Sequence, residues 1–317
     1  MIRVVGANPA MDRISTWPPL RLGAVNRAVQ VSVVPGGKGF NVARAAVRLG
    51  TSATAYGFLG GDVGETLRSL ITADGVEDRH TTIAAGTRVC FVVVEPDEER
   101  TTVFNEPGPP VTEAEIGRFL DDIRADAGPD DLLVISGSLP DSVPASVVGE
   151  LLEIGREAGA RTLVDIHSEA LRVAFASRPW MLKCNRREML ELLGEPDPDT
   201  PMGMVELAAE MQRIREHGIE MVVVTMGAEG ALLADDRGVV HAVAPRIREV
   251  NPTGSGDLFL AGLTVGIEEG SAPREAIGLG VACGTAGATH LPPELPPDFD
   301  RDDWRSRVSV ETVTADR

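Results

Sequence analysis

Between Asp131 and Thr225 the chain alternates short, almost continuously apolar runs with stretches of helical period. Asp131–Ile135, Thr162–Asp165, Met181–Cys184 and Met221–Thr225 are the apolar runs, as expected of strands buried on both faces. Pro144–Ala158, Arg186–Leu193 and Met204–His217 repeat apolar residues three and four apart, which predicts helices. Strand–helix alternation of this kind predicts an α/β fold with a mainly parallel sheet covered by helices on both faces. The spacings leave room for right-handed crossovers.

Two segments break this rhythm. Asp12–Val34 contains no convincing helix, and Arg27–Val33 within it reads as strand. Val89–Glu95 and Thr101–Asn105 read as two strands joined by the polar turn Pro96–Arg100, a hairpin. A few antiparallel strands outside the main sheet would form a small side sheet. A two-stranded ribbon alone is only marginally stable, so it would lean on the main body or on a second subunit. The tail Pro292–Arg317, rich in Pro, Asp and Glu, is expected to be peripheral, and no internal repeat is evident.

The 317 residues suffice for one large α/β domain with a small appendage. Hydrophobic residues make up 43% and charged residues 25%, ordinary for a globular protein. No apolar run approaches the roughly 20 residues that span a bilayer. The N-terminal apolar stretch has no basic segment before it, so no signal peptide is expected and the chain reads as cytoplasmic. Cys90, Cys184 and Cys283 lie far apart without metal-ligand spacing and read as reduced thiols. A net charge of −18 argues against nucleic acid, whose binding draws on Lys and Arg. It leaves a phosphorylated ligand open, because a site needs only local positive potential.

The strongest chemical signal is Asn251-Pro252-Thr253-Gly254-Ser255-Gly256-Asp257. A helical pattern follows it, from about Asp257 through Ile267. Gly254 and Gly256 allow the backbone to approach a ligand closely, and the helix start offers free N–H groups and a positive dipole end. Asp257 stands at the same helix start. A carboxylate beside an anion site suits phosphoryl transfer, where the phosphoryl group needs charge stabilisation and the attacking hydroxyl needs a base. A helix-capping Asp after a glycine turn would look the same. No GxxxxGK[ST] loop is present, nor the protein-kinase motif set.

Pro35-Gly36-Gly37-Lys38-Gly39-Phe40-Asn41 is a second glycine-rich turn that feeds a helix, running to Leu49. Lys38 there would neutralise an anionic group, with Asn41 binding hydroxyls; a solvated surface turn is the plainer alternative. In Lys183-Cys184-Asn185-Arg186-Arg187-Glu188, Asn185 and Glu188 share a helix face and would hold water around Mg²⁺, though an exposed helix start has the same pattern.

Taken in order, these segments resemble the ribokinase-like, or pfkB, carbohydrate kinases. The resemblance runs from Asn8 to about Leu291. It also takes in Gly23–Arg27, Gly57–Gly61, Asn105–Pro109, Ser136–Pro140 and Thr225–Gly230. Within the family the chain is most similar to the phosphosugar branch of 1-phosphofructokinase and tagatose-6-phosphate kinase.

The resemblance implies a Rossmann-like core, one kinase domain over residues 1–317, with a β-sheet lid from about 12–34 and 87–107. It implies Asp257 as base and the amides of Gly254, Ser255 and Gly256 as an anion hole. Asp12, Gly37, Lys38, Asn41, Arg88 and Ser138 would surround the sugar phosphate. Lys183, Asn185, Thr225, Gly227 and Gly230 would hold ATP, Val281 and Thr285 would border its base, and Glu188 would act on Mg²⁺ through water. Each keeps a plainer reading: Asp12 as a turn residue, Arg88 as a solvated strand end, Ser138 as a loop cap. Thr225, Gly227 and Gly230 would serve strand-to-loop packing, and the small-residue helix Ala276–Ala288 close helix packing.

The chain departs from the family pattern at His167-Ser168, where a Ser-Gly pair is usual, at Cys184 in place of a proline, and at Pro252, which has no N–H to donate. By this resemblance Lys38 and the lack of an arginine after Arg100 favour the 1-phosphofructokinase and tagatose-6-phosphate kinase types over the 6-phosphofructokinase type, and Asn26-Arg27 with the Asn105–Pro109 run favour fructose 1-phosphate over tagatose 6-phosphate as acceptor. Unpaired lid edges predict a homodimer through the lids. A nucleoside or unphosphorylated-sugar kinase is disfavoured by Lys38 and Arg88. A non-catalytic sugar-phosphate sensor is disfavoured by Asp257, Asn185 and Glu188.

Overall fold

The computed structural model describes residues 1–98, 100–194 and 202–313. Glu99 of the expected turn and residues 314–317 of the tail lie outside the described residues.

The apolar runs become the central strands of a ten-stranded sheet. Its core is parallel. Glu77–Asp78, Ala53–Tyr56, Ile2–Val5, Leu132–Ser136, Arg161–Asp165, Met181–Asn185 and Met221–Thr225 lie side by side in that order. Ala231–Asp235, Gly238–Val243 and Ser309–Thr312 extend it by antiparallel pairing. Both faces are covered, and each bears its own apolar cluster. Leu132, Val134 and Leu163 point to one face and Leu133, Ile135 and Val164 to the other, which is why these strands read as unbroken apolar runs.

Helices Ser255–Glu268 and Pro273–Gly287 pack tightly against each other on one face. The small residues of the second helix permit this: a Cβ on Gly280 would stand 3.0 Å from the Phe259 carbonyl oxygen. The close-packing reading of this helix therefore holds, although Val281 and Thr285 also border the cleft described below.

Four strands form a separate sheet in the order Gln30–Gly36, Ala10–Thr16, Arg88–Glu95, Arg100–Asn105. The hairpin forms as the pattern predicts. The sheet is not wholly antiparallel, however: Ala10–Thr16 and Arg88–Glu95 pair in parallel. The long excursion through the main sheet between these strands brings the second back in the same direction, which no local pattern reveals.

The tail is not merely peripheral. Leu295 and Val308 join the core, Arg301–Ser306 forms a short helix, and Ser309–Thr312 closes one sheet edge. Its Pro and acidic content hid these anchoring residues. No helix among the described residues is long and apolar enough to cross a membrane.

Candidate active site

The parallel strands end on one side of the sheet, and their carboxyl ends deliver polar side chains there. Asp165 ends Arg161–Asp165, Asn185 ends Met181–Asn185 and Thr225 ends Met221–Thr225. Open α/β sheets bind ligands on this side. A cleft of about 800 Å³ lies over these ends, roofed by the four-stranded sheet. Asp12, Cys90 and Asn105 form one cross-strand row of that sheet and all line the cleft.

Asp257 lies in the first turn of helix Ser255–Glu268 and is buried. Asn41 Nδ2 donates to its Oδ2 at 2.8 Å. Burial pushes the Asp257 carboxyl upward, Asp165 adds to this, and Lys38, Asn41 and Lys183 oppose it; the net direction is up. Gly254, at φ +81°, turns the chain into the helix, and a Cβ there would stand 2.5 Å from Pro293 Cβ. The buried Ser255 hydroxyl and Asn41 Oδ1 have no protein partner. Buried polar groups are normally satisfied, so both fit a ligand with polar atoms at this turn.

Asp165 binds two lysines. Lys183 Nζ donates to Oδ2 at 2.7 Å and Lys38 Nζ to Oδ1 at 3.5 Å. Burial opposes ionisation of Asp165, yet the two ammonium groups hold its pKa below the usual carboxylate range. Asp12 is pushed up to about 6, first by burial, with Arg88 opposing and nearby Asp257 contributing.

Asn185 and Glu188 form a reciprocal cap at the start of helix Arg186–Leu193. Asn185 Oδ1 accepts from the Glu188 N–H at 2.9 Å, and Glu188 Oε2 accepts from the Asn185 N–H at 2.8 Å. The plain helix-start reading of this pair is thus true, and both residues also line the cleft. Among the described residues no cluster of three His, Cys, Asp or Glu side chains stands ready to hold a metal. Magnesium needs none, since it keeps several waters and takes one or two carboxylates plus phosphate oxygens. Glu188, with one oxygen on the cap, fits a contact through water.

Of the residues singled out in the sequence, Asp12, Gly37, Lys38, Asn41, Arg88, Lys183, Asn185, Glu188, Thr225, Gly227, Gly230, Gly254, Ser255, Gly256, Asp257, Val281 and Thr285 all border this one cleft. Ser138 borders instead an adjoining cavity of about 150 Å³, with Asn8, Lys38, Arg88 and His167. Asn8 Nδ2 donates to Ser138 Oγ at 3.1 Å, so Ser138 is held in the cavity wall. Arg88 donates to the carbonyls of Asn8 and Glu106, and its Nε is buried without a partner. His167 is exposed beside Ser168.

Sequence reading missed Asp165 as a site residue and missed the wall formed by Pro245, Arg246 and Ile247. Asp165 carried a usable signal, because a carboxylate at the end of a buried parallel strand faces the ligand side of the sheet. The wall follows the strand Gly238–Val243 in a stretch without periodicity, and nothing local marks it.

Sequence comparison decides the family. The profile of the pfkB family carbohydrate kinases matches residues 2–292. The chain belongs to the pfkB family. It is therefore a carbohydrate kinase, a phosphotransferase with an alcohol group as acceptor. Over 289 residues the chain is 32% identical to 1-phosphofructokinase of Bacillus subtilis, covering 91% of this chain and 92% of that protein. Phosphofructokinase-2 of Escherichia coli, solved in complex with fructose-6-phosphate, is 28% identical with a TM-score of 0.87, covering 96% of this chain and 97% of that one. Ribokinase of Thermotoga maritima, 20% identical, shares the fold at a TM-score of 0.74 over 96% of this chain and 98% of its own. The ribokinase-like α/β architecture is common to this pfkB protein and those relatives.

Proposed function

We propose that the protein transfers the γ-phosphoryl group of ATP to a hydroxyl of fructose 1-phosphate, giving fructose 1,6-bisphosphate. The observation that carries this reading is Asp257: a buried carboxylate, bonded to Asn41, in the first turn of a helix whose start faces the cleft. A base and an anion-stabilising helix start meet at one point, as in-line phosphoryl transfer requires.

The roles divide the cleft. Asp257 takes the proton of the attacking hydroxyl. The amides of Gly254, Ser255 and Gly256 receive charge that develops on the transferred group. Asp12, Gly37, Asn41, Arg88 and Ser138 surround the acceptor, with Lys38 at its inner end. Lys183, Asn185, Thr225, Gly227 and Gly230 border the nucleotide, and Val281 and Thr285 its base. ATP supplies the phosphoryl group; Glu188 would hold Mg²⁺ through water, and the ion would offset the charge of the phosphates. Carbohydrate kinases of this family use ATP and typically Mg²⁺, which supports this assignment. Two cations near the acceptor, Lys38 and Arg88, support a phosphorylated sugar over a neutral one. The identity with the Bacillus 1-phosphofructokinase supports the choice of fructose 1-phosphate.

The four-stranded sheet acts as a lid that excludes water, since an open site would hydrolyse ATP. Its outer face exposes Val31, Val33, Phe91 and Phe104 at 41–56% of their surface. Register places Val33, Arg13, Phe91 and Phe104 in one row. Such a face with two open sheet edges fits a second copy of the chain, a homodimer through the lids. We place the enzyme in the cytoplasm, with its ATP.

The test is ATP turnover with Mg²⁺ against fructose 1-phosphate, fructose 6-phosphate, tagatose 6-phosphate, fructose and ribose. Preferred turnover of fructose 1-phosphate supports the reading. Preference for another phosphosugar corrects the acceptor, and turnover of only neutral sugars overturns it.

A further inference from the structure

Helix Lys38–Arg48 carries Asn41, Arg44 and Arg48 at spacings of three and four, so the three side chains share one face. Each holds a different partner. Asn41 Nδ2 donates to Asp257 Oδ2. Arg44 Nε donates to Asp74 Oδ2 at 2.5 Å, and its Nη2 donates to Glu294 Oε2 at 3.3 Å. Arg48 Nη2 donates to the Pro297 carbonyl at 2.8 Å. Glu294 and Pro297 belong to Pro292-Pro293-Glu294-Leu295-Pro296-Pro297, the proline-rich stretch of the tail. Its prolines have no N–H, and it forms neither helix nor strand, so its place depends on side chains. Leu295 anchors it in the core. Toward the helix face there is no close packing: a cavity of about 550 Å³ lies between them, and the two arginines span it. Pro293 and Asn41 border both this cavity and the main cleft. A Cβ on Gly254 would stand 2.5 Å from Pro293 Cβ, so Pro293 lies directly against the turn that carries the anion-stabilising amides.

We propose that Arg44 is a positioning residue of the transfer step: through Glu294 it holds Pro293 against Gly254, and so fixes the amides of Gly254, Ser255 and Gly256 relative to Asp257, which Asn41 holds from the same helix face. This rests on the phosphosugar kinase reading and adds to it a brace outside the cleft.

The base and the amides sit on neighbouring residues, yet they are supported from different directions. Asn41 fixes the carboxylate from helix Lys38–Arg48. The entry to the turn hangs on the Ala288 carbonyl, which accepts from the Val250 and Asn251 N–H groups at 2.8 and 3.1 Å. Gly254 itself has no side chain to anchor it, and the three atoms nearest to a Cβ there all belong to Pro293. Preorganised donors act only where charge develops, and a shift of about 1 Å costs up to roughly 10²-fold in rate. Arg44 refers both supports to one helix, with Asn41 one turn before it and Pro293 reached through Glu294. Asp74, at the end of helix Gly61–Ala73, fixes the Arg44 guanidinium from the other side. The second Glu294 oxygen lies 3.8 Å from His290 Nε2, in the same stretch of chain, and gives no hold on the helix. The Glu294 side chain is 37% exposed, so its pair with Arg44 adds little to stability; its effect is on alignment.

The experiment compares Arg44→Met, Arg44→Lys, Glu294→Gln and the double variant Arg44→Met with Glu294→Gln. Steady-state kinetics use the phosphosugar that the intact enzyme turns over best, and amide hydrogen exchange follows the Val250–Leu258 stretch. Arg44→Met is expected to lower kcat by roughly tenfold, with acceptor KM changed less than about threefold and Tm nearly unchanged. Glu294→Gln should lower kcat in the same sense by a smaller factor. The double variant should be no slower than Arg44→Met alone, because both changes remove one contact. Arg44→Lys should recover part of kcat. In Arg44→Met the amides of Gly254, Ser255 and Gly256 should exchange at least about threefold faster, while those of the central strand Leu132–Ser136 exchange as in the wild type. Unchanged exchange at the turn would overturn the proposal, as would unchanged kcat or losses that multiply in the double variant. A fall in kcat that only follows a fall in Tm would overturn it too. Exchange needs no substrate, so it decides the proposal even where no sugar turns over, an outcome that overturns the phosphosugar reading alone.

Discussion

Asn41 Nδ2 donates to Asp257 Oδ2 at 2.8 Å, joining two residues 216 positions apart. One comes from the helix after the first glycine turn, the other from the helix after the last. The bond aims the carboxylate and leaves Asn41 Oδ1 for a ligand. It also lowers the Asp257 pKa against the stronger upward push of burial. Asn41→Leu is therefore expected to raise that pKa further. Since the base works ionised, the acid limb of kcat should move to higher pH, and kcat at neutral pH should fall roughly tenfold. An unshifted limb in a pH–rate profile would show that the bond does not set the base.

Asp12 supplies a stability prediction. Burial holds its folded pKa at about 6, above the ordinary aspartate value of 3.8. A carboxyl raised in this way stabilises the fold fully below the unfolded value and loses that contribution as pH rises through about 6. Asp12→Asn removes the loss. The variant should gain on the wild type between about pH 4 and pH 6 and end more stable at pH 7, by an amount on the order of 3 kcal/mol. Denaturant midpoints across that range measure it. Parallel curves for the two proteins would rule the effect out.

The Gly254 turn is sterically fixed. Its φ is +81°, and Pro293 Cβ lies 2.5 Å from where an alanine methyl would stand, so alanine forces the turn away from its present path. Gly254→Ala should cost more than about tenfold in kcat by displacing the Ser255 and Gly256 amides, with the bulk of the fold intact by circular dichroism. Wild-type kinetics in the variant would mean those amides are not engaged.

Much of this was legible in the sequence. The buried strands Leu132–Ser136, Arg161–Asp165, Met181–Asn185 and Met221–Thr225 appear within a residue or so of where their apolar runs place them. Gly254–Asp257 and Gly37–Asn41 announced themselves because glycine next to a helix start is a local signal. What escaped was nonlocal. The parallel pairing of Ala10–Thr16 with Arg88–Glu95 depends on a crossover through the main sheet. The shared hold of Asp165 on Lys38 and Lys183 joins residues up to 127 positions apart. The tail strand Ser309–Thr312 is short, and only Val240–Val243 gives it a partner.

The outer lid row predicts assembly. Phe91→Ser combined with Phe104→Ser should convert a dimer to a monomer in small-angle scattering, because it removes the two largest exposed apolar groups of that face. A wild-type protein that is monomeric at working concentration would remove the dimer from the account.

The most direct test of the central claim is the rate at which fructose 1-phosphate is phosphorylated by ATP and Mg²⁺ in the wild type and in Asp257→Asn. The wild type should turn fructose 1-phosphate over, and the variant should be slower by roughly 10² or more with acceptor affinity kept, as loss of a general base requires. Equal rates in the two proteins would contradict it.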